Sequence, residues 1–174
     1  MRKTAVILIS LVLFLGNINS VFGDDFEKSF IESAKQKMTQ NKYKGAIKDL
    51  EMVINSSPDN AEAYYLKGVA NFHLRRNDKS IENLEIAIAL DHRDARFYYY
   101  KALSHADQDE LKEAFREMNF ALEYDKNNIE YLLFRADLEF ELKYYTDAIQ
   151  DWEHAASLGS VDAKDMLEKH ALKM

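Results

Sequence analysis

Catalysis and metal binding need particular side chains at particular spacings, so the histidines, nucleophiles and carboxylates of this chain are read first. The chain has five histidines, His73, His92, His105, His154 and His170, and no cysteine. No two histidines have the close spacing, with a carboxylate motif beside them, that holds zinc. The missing cysteine removes thiol nucleophiles, thiolate-bound zinc and iron–sulfur clusters. His73 and His105 read as partly exposed helix histidines. His92-Arg93-Asp94 spells a tripeptide of phosphoryl-transfer loops, but no glycine-rich phosphate cradle and no Asp-Phe-Gly accompany it, so it reads as a connection. No Gly-x-Ser-x-Gly is present. The abundant Asp and Glu are spread as solvated charge, often one helical turn from Lys. Arg75, Arg76 and Lys79 form a small basic turn that reads as solubilising surface. The chain is therefore expected not to be an enzyme, and to need no metal and no cofactor.

Composition narrows the partners. The 174 residues carry a formal charge of −7, with Lys and Arg scattered rather than gathered in a stripe. Such a surface does not attract a phosphate backbone, so nucleic acid is excluded as a partner. The first 23 residues differ from the rest: Arg2 and Lys3, an apolar run Ala5–Leu15 broken only by Ser10, then a polar stretch ending at Val21-Phe22-Gly23. This is the layout of a secretory signal peptide, with cleavage after Gly23 or, second, after Ser20. Eleven helical residues rise only about 16 Å, against a bilayer core of about 30 Å, and Asn17 and Asn19 interrupt any extension. A secreted or periplasmic location, with no membrane span after cleavage, is the expectation. Asn55-Ser56-Ser57 is a glycosylation acceptor if the source is a eukaryote.

What remains is organised by a period of 34. Ala34, Gly68, Ala102 and Ala136 share that step, as do Ala46, Ser80, Ala114 and Ala148, and Val53, Ala87, Ala121 and Ala155. Large apolar residues keep it too: Phe30, Tyr64, Tyr98 and Leu132, then Leu50, Leu84, Met118 and Trp152. Each unit reads as two amphipathic helices with apolar residues three and four apart. Small residues recur where two helices cross, letting their axes approach to about 8–10 Å. Stop signals fall between units at 55–60, 91–94 and 125–128. One hairpin cannot bury its own apolar face, so stacked neighbours must supply the core, and a last helix must close the end.

The segments Ala61-Glu-Ala-Tyr-Tyr-Leu-Lys-Gly68 and Asp78–Leu90, with Ala46, Leu50 and Pro58 before them, resemble the tetratricopeptide repeat (TPR) family. The resemblance covers about residues 27–160. It implies an all-α, right-handed superhelical solenoid of four helix-turn-helix hairpins (about 27–60, 61–94, 95–128 and 129–162) with a C-terminal capping helix over 161–174. The chain departs from the family where the hairpin turn usually has glycine: Asn41, Arg75, Asp109 and Lys143 stand there. His92, Lys126 and Ser160 replace the closing proline, and Ser80 replaces an alanine. These departures are expected to lower stability slightly.

The family lines a concave groove with the first helix of each hairpin. The positions this implies are Ile31, Lys35 and Met38; Tyr65, Val69 and Phe72; Tyr99, Leu103 and Ala106; and Leu133, Asp137 and Phe140. Steps of four then three residues put each set on one helical face. The same side chains read alternatively as core, equally so for Phe72 and Phe140, and Tyr98 reads as core outright. One subtype of the family grips a C-terminal carboxylate with Lys, Asn and Arg; the corresponding places here hold Ile31, Lys35, Leu66, Arg96 and Tyr100, and only Arg96 could do that job, so no carboxylate clamp is expected. The expected function is a scaffold or adaptor of the cell envelope holding an apolar peptide or helix of another protein. The alternative is a structural repeat protein that self-associates as a homo-oligomer.

Overall fold

A computed structural model describes residues 25–171, so the leader read over 1–23 lies outside the described residues. Among these residues there are nine helices and no strand. The helix α1 covers 25–39, followed by α2 (Tyr43–Ser56), α3 (Ala61–His73), α4 (Asn77–Leu90), α5 (Ala95–Ala106), α6 (Leu111–Tyr124), α7 (Ile129–Glu141), α8 (Tyr145–Ser157) and α9 (Val161–Ala171). Each helix packs on the next, giving an all-α solenoid of four hairpins closed by α9. No helix among the described residues is long and apolar enough to cross a membrane.

The hairpin turns close by one device. The amides of Lys42, Arg76, Glu110 and Tyr144 donate to the carbonyls of Lys37, Asn71, His105 and Glu139 at 2.8–3.0 Å, and Asn41, Arg75, Asp109 and Lys143 take φ of 57–67°. This is the Schellman ending, whose left-handed residue is ordinarily glycine because a Cβ strains it. The four positions singled out in the sequence are thus where the chain accepts that strain. The other connections are capped: the side chains of Asn60, Asp94, Asn128 and Ser160 accept from the amides of Ala63, Arg96, Tyr131 and Ala163. Ser160, one of the residues replacing proline, thereby starts α9 after a short turn.

The small residues with the 34-residue period all lie at the helix crossings, buried without exception. Gly68 is the tightest case, since a Cβ there would stand 2.8 Å from Leu84 Cγ. Ser80 corrects the expectation attached to it. Its hydroxyl is fully buried but pairs with Ser104 at 2.8 Å, and Ser104 also reaches the Tyr100 carbonyl at 2.9 Å. A paired buried hydroxyl avoids the penalty of an orphaned one.

Two apolar cores result, and they meet on α5. Phe97 belongs to the N-terminal core with Leu50, Val53, Leu66 and Leu84. Its neighbour Tyr98 belongs to the C-terminal core with Met118, Leu132 and Trp152. Successive helical residues point about 100° apart, so the run Phe97–Tyr100 aims in four directions. Phe97 and Tyr100 meet Tyr65 of α3, Tyr98 meets Phe120 and Tyr124 of α6, and Tyr99 meets Tyr131 and Phe134 of α7. Tyr98 is buried, in keeping with its reading as core, with its hydroxyl donating to the His92 carbonyl at 3.0 Å.

Candidate functional site

The first helices of the hairpins touch one another directly, α3 on α5, so their side is the shorter, inner side of the solenoid. The residues read as groove wall fall into three groups on this side. Ile31, Met38, Phe72, Tyr99, Leu103, Leu133 and Phe140 are half-buried, as are Lys35 and Ala106, while Asp137 is exposed. Tyr65 and Val69 are buried in the N-terminal core, at 8% and 4% exposure, and offer little surface to a ligand. The reason is the superhelical packing itself. Phe97 and Tyr100 of the next first helix close over Tyr65, and the Arg96 guanidinium lies over its ring at 4.7 Å.

The half-buried group divides again. Phe140 is packed between Tyr145, Trp152 and His170 of α9, at ring separations of 5.2, 5.8 and 4.4 Å, so the capping helix occupies one of its sides. Tyr99 packs on Tyr131 at 4.7 Å and donates its hydroxyl to Glu130 at 2.8 Å. Phe72 meets Tyr100 edge-on. Leu103 belongs to neither core cluster. It is the wall residue with the least structural employment.

Beside this wall runs a polar rail that the sequence reading passed over. Lys35 pairs with Glu62 at 3.2 Å, Glu62 with Arg96 at 3.1 Å, and Arg96 with Asp94 at 2.6 Å. The signal was present: Lys28, Glu62, Arg96 and Glu130 are themselves 34 residues apart and alternate in sign. Hydrogen bonding to Asp94, reinforced by Glu62, holds the Arg96 guanidinium firmly charged. Its charge is already met by those two acids, so it is poorly placed to seize a free carboxylate. Burial, then Glu130, pushes the Tyr99 phenol well above its ordinary range. Burial likewise raises Tyr131 to about 12. Both stay protonated near neutral pH and act only as neutral hydrogen-bonding groups.

The histidines are dispersed. His73 stacks on Tyr43, His105 touches Glu110 at 2.6 Å, His92 meets Tyr124, and His170 stacks on Trp152. Among the described residues no three His, Cys, Asp or Glu side chains gather as a metal site would require. The face offers apolar contact, aromatic edges and neutral hydroxyls. These are the means of holding a peptide segment.

A family model for the TPR repeat matches residues 35–74, and one for the tetratricopeptide repeat matches residues 74–119. No curated protein matches. Among solved structures, a thermophilic TPR protein of Thermus thermophilus is similar, with a TM-score of 0.70, 15% identity, and coverage of 84% of this chain and 81% of that one. MamA (41-end) from Desulfovibrio magneticus RS-1 is similar at TM-score 0.69 and 19% identity, with 76% and 75% of the two chains covered. The first TPR of Spaghetti (RPAP3), bound to the HSP90 peptide SRMEEVD, is similar at TM-score 0.66 and 20% identity, with 68% and 94% covered.

Proposed function

The chain is a tetratricopeptide repeat protein, and from that premise we propose that it is a non-catalytic scaffold whose inner face binds an apolar peptide or helix of another protein. One observation carries this reading. Ile31, Met38, Phe72, Leu103 and Leu133 present a broken apolar wall on consecutive first helices, each side chain half-buried rather than sealed in the core. Partly exposed apolar surface of this kind marks interaction sites. The peptide complex of Spaghetti (RPAP3) supports the same use of a TPR face, although Arg96 is compensated here and the wall favours apolar side chains over a terminal carboxylate. The leader read over 1–23 supports an envelope or secreted setting, and N-terminal sequencing of the exported protein tests it: a start at Asp24 or Val21 is expected, and retention of Met1 overturns it.

The groove is tested by affinity capture from the envelope fraction with the parent chain beside Leu103→Glu. Tyr99 is the poorer choice, because a carboxylate there would face Glu130 and disturb the Tyr131 contact. Leu103→Glu should keep the helical circular dichroism of the parent while losing the retained protein. Equal retention by both would move the site off the inner face.

A further inference from the structure

The outer side carries a second pattern with the same period. On every second helix, four side chains stand four residues apart and so form one row that winds about 40° round the helix at each step. The rows are Lys44, Lys48, Met52 and Ser56 on α2, Asp78, Glu82, Ile86 and Leu90 on α4, Lys112, Arg116, Phe120 and Tyr124 on α6, and Thr146, Gln150, His154 and Leu158, which runs from α8 onto its C-cap. All are exposed except the half-buried His154. The two central rows end in large apolar groups left open to solvent: Ile86 is 37% exposed, Leu90 42%, Phe120 41% and Tyr124 38%. The same two rows begin with like charges one turn apart, negative on α4 and positive on α6. Like-charge pairs at that spacing disfavour a helix. Among the described residues Asp78, Glu82 and Lys112 make no ion pair, and Arg116 reaches only Glu117, at 3.4 Å. Asp78 accepts one hydrogen bond, from Gln108 at 2.7 Å.

Each hairpin turn and each connection between hairpins reverses the chain, so α4 and α6 run in the same direction. We propose that this outer face pairs with a second copy of the chain about a two-fold axis lying in the interface along the furrow between α4 and α6. Such an axis keeps the helix direction and exchanges the two helices. Glu82 of one copy then faces Arg116 of the other, Asp78 and Lys112 lie at the same end of the contact, and the apolar groups of both rows gather at its other end. The other two-fold available to this face, running across the helices, sets α4 against α4 in reverse and puts Asp78 and Glu82 on Ile86 and Leu90. Charge complementarity therefore selects the occupant and the axis together. The arrangement is isologous, as two-fold dimers must be. The outer face curves away from the contact, which limits it to the two central helices and to the weak, reversible class of interface. The charges supply register and partner choice more than affinity. The proposal is independent of what the inner face binds.

The test is sedimentation velocity of the full chain from micromolar to millimolar concentration. A reversible dimer is expected. Glu82→Lys alone and Arg116→Glu alone each oppose like charges and should weaken it about tenfold or more. Both positions are exposed, and circular dichroism checks that the variants fold. An equimolar mixture of the two single variants restores both charge pairs and should dimerise like the parent, although neither variant does so alone. Three results would overturn the proposal: a strict monomer at every concentration, association indifferent to the single reversals, or a mixture that stays monomeric. A chain that stays monomeric while losing a foreign partner through the same substitutions would assign this face to that partner instead.

Discussion

The second and fourth hairpins share a backbone plan and solve one packing problem in opposite ways. At equivalent positions the second buries Asn71 and Asn83, and the fourth buries Glu139 and Asp151. In the second, each amide nitrogen donates to a carbonyl one turn earlier on its own helix, Asn71 to Lys67 at 2.8 Å and Asn83 to Lys79 at 2.6 Å. Neither helix asks anything of the other, and Lys67 reaches out to half-exposed Glu51 at 3.3 Å. In the fourth, Arg135 of α7 holds Asp151 of α8 through two nitrogens, at 2.7 and 2.8 Å, and also Asn119 of α6 at 2.9 Å. Glu139 stays 3.8 Å from Arg135 with one carboxylate oxygen buried and unpartnered. The small residues at the crossings set the helix geometry in both hairpins. The polar layer above them is free to be neutral and local or charged and shared.

The comparison breaks most sharply at the shared cation. Arg135→Met should cost about 3–5 kcal/mol, because the buried Asp151 carboxylate loses both bonds to its counter-charge. Lys67→Met should cost at most about 1 kcal/mol, because its ion pair is largely solvated. Urea titrations of the two variants give the contrast directly, and equal losses would deny it.

The crossing residues come next. Gly68→Ala forces Leu84 to move and should destabilise by about 1–3 kcal/mol through overpacking, partly offset by alanine's better helix propensity of about 1 kcal/mol. Ala136→Gly, the reverse change in the fourth hairpin, should cost about 1 kcal/mol from propensity alone. Thermal unfolding of the pair measures how much tighter the second hairpin is packed.

A smaller effect is pH. Burial, then Asp151, raises the Glu139 carboxyl to about 7. The folded state thus holds that proton more tightly than the unfolded chain, so its contribution is fully present below the ordinary glutamate range and is lost as pH rises through about 7. Stability should therefore increase on acidification through this window. Glu139→Gln should flatten the dependence, and an unchanged slope would exonerate Glu139. The neutral second hairpin contributes no such slope from Asn71 and Asn83.

The smallest changes concern the turns that both hairpins share. Lys143→Gly relieves a left-handed residue and should stabilise by about 0.5–1 kcal/mol. Arg75→Gly should gain less, since Arg75 also pairs with Asp107. A loss at Lys143 in denaturant titration would show the strain argument to be wrong.

The period of 34 was legible because identical packing duties recur at identical places, and burial imposes residue size regardless of what stands far away in the chain. That is why the alanines, Gly68, the large residues of the second helices and the four left-handed turns could be placed from the sequence. The inner wall was only half legible. Period and face assign Tyr65 and Leu103 alike to it, yet Phe97, Tyr100 and Arg96 close over Tyr65 and leave Leu103 outside both cores. The partnerships of Ser80 with Ser104 and of Arg135 with Asp151 were invisible for the same reason. Helical periodicity fixes the direction in which a side chain points. What it meets there depends on how closely the neighbouring repeat docks, and only the packed solenoid decides that.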